Sequence, residues 1–483
     1  MTPAVGSVGD ASRRTARGAA VRGVAEVGGK VATLAWTVVA ARMLTATDFG
    51  VVSFGLATML LVSTLPAWGF DAGVIRRGAA EPEHLDTIYS ATQWWKTALA
   101  VPVMIVTAVV MVLGHDDVVA RLTVLLILVA LLPEVWSKTV RSASSARQRA
   151  RDVSSALLAQ RVVTALLIVA VLAAGGGSAA VAGAFLCGTL IGWAAHVVAL
   201  RRVGLVRTPG LPTRDDLARA ARGTWLIGLN GLLLMLLMRV DMIFLGGMQG
   251  AAAVAVYAIA YRLLETVLFV TYAVNQAVFP VLSATRDLDR WRRGYERSLS
   301  VAAFVYLPFV AVCVTDGPAV IGLLFGERYR TESGLILLWL APSALFFAAA
   351  FFASTLLMAM ERPLPMLLAT AVAAAVNLAL NAALIPQWSG VGAAVATTVA
   401  FGVQAVGVHF AIRSTGVAPR LLGPVLPALV ASLALALGLW LAPWPLLVEL
   451  VVGAAFYIAL WLIVVKRVDP VQRDVLIGLV KRT

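Results

Sequence analysis

The sequence predicts an all-α polytopic membrane protein of about fourteen transmembrane helices, arranged as two pseudo-symmetric six-helix lobes plus a C-terminal helix pair. Three observations carry that prediction. Of the 483 residues, 60% are hydrophobic and only 13% charged, and the mean hydropathy is +0.90, outside the range of water-soluble domains. Apolar runs of about twenty residues, enough to cross a hydrocarbon core of about 30 Å, recur along nearly the whole chain. The basic residues gather in alternate connections, as they do when one side of a membrane retains them.

The first 23 residues are polar and basic, with Arg13, Arg14, Arg17 and Arg22. They could pass for the start of a signal peptide. The run behind them is long enough to span and carries Lys30 and Arg42, so an uncleaved first helix is expected. Spans are expected at approximately 24–44, 50–70, 89–113, 118–136, 153–173, 178–200, 223–246, 251–275, 298–326, 333–360, 363–386, 390–413, 421–442 and 446–466. Residues 1–23 form a cytoplasmic tail, 24–200 the N-terminal lobe, 201–222 a cytoplasmic linker, and 223–413 the C-terminal lobe. The last two spans fill 414–466, and an amphipathic cytoplasmic tail closes the chain at 467–483.

One set of alternate connections holds most of the charge, including Arg76 and Arg77, Lys138 and Arg141, Arg201 and Arg202, Arg292 and Arg293, and Lys466 and Arg467. The opposite set holds only Arg328 and Arg330. Both termini are therefore expected in the cytoplasm, and the net charge of +14 reports topology and anionic lipid, not nucleic acid. Thr213 is an expected N-cap for a short linker helix, with Asp215 and Asp216 in its first turn.

The outward turns near Asp48, Gly176, Gln249–Gly250 and Ser389 are each followed by a run of small residues. The first and third lie about 200 residues apart, as do the second and fourth, which suggests two parallel six-helix repeats. Such repeats place a binding site between the halves. Cys187 and Cys313 both fall in apolar spans and are expected as small core residues.

An enzyme needs catalytic groups on a loop or at a cavity. The best acidic group, His115, Asp116 and Asp117 in "GHDD", sits on a turn too short for an acceptor site. No phosphate-binding glycine loop, zinc motif or nucleophile elbow occurs, so a non-enzyme is expected. Charges inside the spans are more informative, because each is costly at the bilayer centre. Lys30, Lys96 and Arg161 lie several residues inside the basic ends of the first, third and fifth spans. They either snorkel to the headgroups or face a cavity. Arg239 and Asp241 lie toward the outer end of the seventh span. Arg262 and Glu265 lie near the middle of the eighth, three residues apart, so that they pair or receive an anionic headgroup.

"NLALNAALIPQWSGVGAAVATTVA", Asn377 to Ala400, resembles a signature of polysaccharide flippases. These form the Wzx-type branch of the MOP superfamily, related to the MurJ-type lipid II flippases and the MATE transporters. "ARMLTATDFGVVSFGLATML", Ala41 to Leu60, is similar to the family's first hairpin, with Thr45 where glycine is usual. "RVDMIFLGGMQGAAAVAVYAIAYRLLE", Arg239 to Glu265, is similar to the start of its second lobe, and "AVFPVLS", Ala277 to Ser283, to its helix 8 exit.

The resemblance implies transport of a polyprenyl-diphosphate-linked oligosaccharide across the bacterial cytoplasmic membrane, by alternating access around a cationic cavity. It implies substrate contacts from Lys30, Arg42, Arg239, Asp241 and Arg262, and Lys96, Arg161 and Glu265 complete the candidate set. Arg42 also suits an interface anchor. No cofactor is implied. Membrane lipids are expected partners, and polysaccharide polymerase and glycosyltransferases are candidate ones. A drug/cation antiporter is the runner-up, but those usually carry an acid deep in the first helix, where this chain has Lys30 and Arg42. A membrane glycosyltransferase or polymerase, or a non-transporting scaffold, are further alternatives. Asn377 and Asn381 share one helix face, with Asn377 about 13 Å inside the outer end, and interhelical hydrogen bonds are expected of them.

Overall fold

The computed structural model describes residues 28–114, 117–147, 150–202, 204, 211–441 and 444–468. The basic tail at 1–23, His115 and Asp116, and nearly all of the tail at 467–483 lie outside the described residues. Within them every regular element is helical. The chain divides into two compact units, Met1–Gly246 and Gly247–Thr483.

In unit one, α1 covers 28–43. It is followed by α2 (Ala46–Val62), α3 (Thr64–Ala67), α4 (Phe70–Ala80), α5 (Leu85–Gly114), α6 (Val118–Val129) and α7 (Leu131–Ala146). Then come α8 (Ala150–Ala173), α9 (Ser178–Arg202), the short α10 (Arg214–Ala221) and α11 (Trp225–Gln249), whose last turn carries the boundary. Unit two holds α12 (Ala251–Ser283), α13 (Leu288–Phe325), α14 (Arg330–Leu340), α15 (Ser343–Ala359), α16 (Pro363–Arg413), α17 (Leu422–Leu441) and α18 (Leu446–Val468).

Twelve helical stretches among the described residues are long and apolar enough to cross a membrane, against the fourteen spans expected. Two features account for the difference. Residues 363–413 form a single stretch of 51 residues that breaks at Ser389 (φ 48, ψ −127), where the sequence places a turn between two spans. The described part of the first helix, 28–43, is too short to qualify. The protein is a multi-pass membrane protein. Its outward faces agree, with Ile105, Val106 and Leu113 of α5 exposed, as a lipid-facing helix requires.

The tight turns have local causes. Thr45 caps α2 by accepting from the Asp48 backbone N–H at 3.1 Å. Gly250 (φ 83) makes the one-residue turn between α11 and α12 with a backbone that L side chains rarely adopt. Each unit then ties one of these turns to a later one. The Ser178 hydroxyl donates to Asp48 Oδ1 at 2.8 Å in unit one, and Gln249 Nε2 donates to the Ile385 carbonyl at 3.2 Å in unit two.

Close helix contacts rest on small residues. A Cβ on Gly188 would collide with Thr164, and one on Gly192 with Gln160, so this glycine pair lets α8 lie directly on α9. In unit two, Ala311, Ala431, Leu435 and Tyr457 form the core that joins α17 and α18 to α13. The Tyr457 hydroxyl donates to the Phe304 carbonyl at 2.8 Å. Cys313 is buried, whereas Cys187 is exposed on the outer face of α9. The core expectation therefore fails for Cys187: an apolar membrane span has a lipid-facing side as well as a packed one.

Candidate functional site

The hydropathy of the chain falls after about residue 136, which ends the expected fourth span there. The helix itself continues to Ala146. Its continuation, "LLPEVWSKTVRSASSA", sets Glu134, Lys138, Arg141 and Ser145 at helical spacing along one stripe. Glu134, Ser137, Ser142 and Ser144 are buried. A polar stripe packed into an apolar unit is stable only when its groups find partners.

Glu134 is the centre. Gln160 Nε2 donates to its Oε2 at 3.2 Å. Arg141 Nη2 stands 3.6 Å and Arg161 Nη2 3.7 Å from its Oε1. One carboxylate thus faces two guanidiniums, with the Lys138 ammonium one helical turn along. The open glycine surface of α9 is what allows Gln160 to reach across. Neighbouring His196 is fully buried, its Nδ1 2.7 Å from the Gly192 carbonyl oxygen. Arg141 Nη1, Gln160 Oε1 and His196 Nε2 are buried atoms with no hydrogen-bond partner among the described residues.

Lys96, on α5, reaches toward the same helix. It is fully buried and its Nζ lies 2.5 Å from Asp71 Oδ1, with a weaker donation to the Val135 carbonyl at 3.4 Å. The Ser142 hydroxyl donates to Asp71 at 3.3 Å. Lys96 neither snorkels nor stands open: it is a closed ion pair. Arg161, one third exposed at its side chain, remains open.

In unit two, Arg262 Nη1 donates to Glu265 Oε2 at 2.9 Å, as the three-residue spacing allows. Arg262 is partly exposed and Glu265 is mostly enclosed. Lys30 and Arg42 are exposed near opposite ends of α1, Arg239 is half-buried, and Asp241 is fully buried. The Met242 backbone N–H donates to Asp241 Oδ1 at 2.7 Å. Asn377 and Asn381 are fully buried, and Asn381 Nδ2 donates to Asn377 Oδ1 at 3.1 Å. They hydrogen-bond along their own helix, not across to another as expected, because one turn brings the two amides within reach of each other.

Sequence reasoning missed Asp71, Glu134, Arg141, Gln160 and His196. A signal existed for Glu134, the only acid between Asp117 and Asp152, inside an apolar run where an ionisable residue marks a site by default. Asp71 lies one residue past an expected span end, and Arg141 reads as a loop cation. No His, Cys, Asp or Glu cluster among the described residues could hold a metal ion.

Chemically, the partly exposed Arg141 and Arg161 around one buried carboxylate, with a guanidinium nitrogen left unsatisfied, are groups of the kind that bind anions. Comparisons with known proteins bear on which anion. The family model described as "Polysaccharide biosynthesis protein" matches residues 15–286 and that described as "MatE" matches 227–383. The chain is 26% identical over 192 residues to a probable flippase, AglR, of Haloferax volcanii, across 38% of this chain and 39% of that protein. It is 28% identical over 97 residues to a putative O-antigen transporter of Shigella flexneri, across 20% of this chain and 23% of that one. The chain thus spans well under half the length of either relative. Among solved structures, the lipid II flippase MurJ in an inward closed conformation superposes with a TM-score of 0.79 at 12% identity, covering 92% of this chain and 99% of that one. That likeness is one of fold.

Proposed function

The chain belongs to the polysaccharide biosynthesis protein family of the MOP superfamily, and from that premise we propose that it is a flippase for a polyprenyl-diphosphate-linked oligosaccharide. In this reading it carries the lipid from the inner to the outer leaflet of the bacterial cytoplasmic membrane by alternating access, with both termini cytoplasmic. The observation that carries the reading is the cluster around Glu134, where Arg141 and Arg161 share one carboxylate and Arg141 Nη1 stays unsatisfied. In a low-dielectric interior an uncompensated guanidinium is costly, and a diphosphate offers the oxygens that would complete it. Arg141 and Arg161 receive the diphosphate, and Arg262, paired with Glu265 but partly open, is a second contact. Lys96 holds its place through Asp71 and positions α7. Lys30, Arg42, Arg239 and Asp241 keep substrate roles as part of the same proposal. Membrane lipids surround the spans, and polymerase or glycosyltransferase partners would act on the substrate before or after it crosses.

The antiporter alternative finds less support. The described first helix carries Lys30 and Arg42 and no acid, so it lacks the group that would bind a cation there. Mass spectrometry of lipids that copurify with the full-length protein tests the proposal. Polyprenyl-diphosphate glycans are the expected result. Their consistent absence, together with cation-driven efflux of small organic cations from vesicles, would overturn it.

A further inference from the structure

A second basic site stands apart from the spans. A cavity of about 400 Å³ opens in unit one between α4, the Pro82–His84 turn leading into α5, and α10. Its walls carry the guanidiniums of Arg76, Arg77, Arg219 and Arg222 against the carboxylates of Glu81 and Asp216. Most of these groups are already committed. Arg77 donates through Nη1 to the Arg219 carbonyl and through Nη2 to the Ala220 carbonyl at 2.7 Å, which staples the end of α10 onto α4. Asp216 accepts from the Thr213 hydroxyl at 2.7 Å and backbone N–H at 3.0 Å, and from Arg219 Nη2 at 2.6 Å. Trp95 Nε1 adds a bond to the Leu217 carbonyl at 2.9 Å, so α10 is held along its length.

Two cations are left over. Arg76 and Arg222 are exposed, and neither guanidinium makes a hydrogen bond or ion pair to another described residue. They also converge. Arg76 Nη2 lies 3.7 Å from the place a Cβ on Gly223 would occupy, directly beside Arg222 in the chain. Neighbouring guanidiniums repel one another until an anion sits between them, and the planar forks of two arginines suit tetrahedral phosphate oxygens. His84 and Thr87 line the same cavity as further polar groups.

The setting narrows the anion. The cavity lies where the spans Pro82–Gly114 and Trp225–Gln249 begin, with Ile75 and Trp225 exposed beside it. A phosphate held there would have apolar side chains within reach of its acyl chains, and anionic headgroups are drawn to basic pockets at this depth.

We propose that this pocket binds a phosphate group between Arg76 and Arg222, and that its usual source is the headgroup of an anionic phospholipid. Occupied, it clamps α10 to α4 and α5 and so fixes the start of α11. The site does not rest on the transport reading, and a chain that moved no lipid-linked sugar would still have it.

Native mass spectrometry of the full chain, titrated with phosphatidylglycerol or phosphatidylcholine in detergent, tests the site. The wild type should prefer phosphatidylglycerol. The double variant Arg76→Gln/Arg222→Gln should lose that preference by about tenfold or more, with phosphatidylcholine binding and thermal stability unchanged. The double variant Arg290→Gln/Arg293→Gln, also basic but in the other unit, should keep it. Displacement of phosphatidylglycerol by millimolar inorganic phosphate would uphold the site and identify a water-soluble phosphate compound as a second source. Equal binding of the two lipids by the wild type, full retention by the first double variant, or equal loss in the second would overturn the proposal.

Discussion

In unit one the buried hydroxyls and amides are joined by charged pairs: Lys96 with Asp71, and Glu134 beneath Arg141 and Arg161. In unit two the buried polar groups are, Glu449 apart, hydroxyls and amides among the described residues. The Thr271 N–H donates to the Tyr306 hydroxyl at 3.0 Å, Gln404 Nε2 to Thr370 Oγ1 at 3.0 Å, and the Thr355 hydroxyl to Asn275 Oδ1 at 2.7 Å. Arg262 with Glu265 is the ion pair whose two side chains are both mostly enclosed among its described residues. Both units otherwise use the same devices, small-residue contacts and tight turns tied by one side-chain bond. Neutral pairs satisfy a core at modest net gain. Charged pairs in a low-dielectric interior rarely gain stability over apolar residues, so their concentration in unit one fits a role in handling charge.

The contrast can be broken most forcefully at Glu134. Glu134→Gln keeps the shape but leaves Arg141 and Arg161 without their shared carboxylate. It should cost about 3–5 kcal/mol, read as thermal unfolding of the purified protein in detergent. A loss below about 1 kcal/mol would mean the guanidiniums are solvated and the cluster is not a buried one. Next comes Lys96→Met, which strands a partly exposed Asp71 and should cost about 2 kcal/mol. Lys96→Met/Asp71→Leu should recover most of that, and a double-mutant cycle measures the coupling. In unit two the expected effects are smaller. Asn377→Ala removes the acceptor of the Asn381 amide and should cost about 1–2 kcal/mol, whereas leucine at both positions should be close to neutral by the same thermal measurement.

The smallest effect lies outside the spans. The Asp216 carboxyl is held below its ordinary pKa, first by the Thr213 hydroxyl and then by the Thr213 backbone N–H. A depressed carboxylate stabilises its capping box at pH values above its unfolded pKa and loses that contribution as the pH falls through its folded one. Thr213→Ala should therefore speed hydrogen exchange in α10 at neutral pH and make little difference at acid pH. An acceleration equal at both would separate the cap from the carboxylate.

How much of this was legible in the sequence follows from chain distance. The turns at Thr45, Gly250 and Ser389, the Thr213 cap and the Arg262–Glu265 pair are local, so spacing and residue type suffice to place them. Glu134 and Arg161 lie 27 residues apart, and Lys96 lies 25 from Asp71. Those pairs exist only because helices pack side by side, and no helical period encodes them. The polar continuation of α7 was hidden for a related reason. Hydropathy marks lipid-facing surface, while a helix that turns its polar stripe toward neighbouring helices can extend past the hydropathy edge. The asparagines were found as a buried pair, but the choice between bonding along the helix and across it depends on what lies opposite.

Transport itself is the most direct test. Vesicles reconstituted with wild type or with Arg141→Gln can be loaded with a fluorescent polyprenyl-diphosphate saccharide, and its arrival in the opposite leaflet followed by quenching. Arg141→Gln leaves Glu134 with Arg161, so the protein should fold and melt close to wild type. It should move the lipid about tenfold more slowly or worse, the loss of one charge-assisted contact. Wild-type flipping by a folded Arg141→Gln protein would contradict the account.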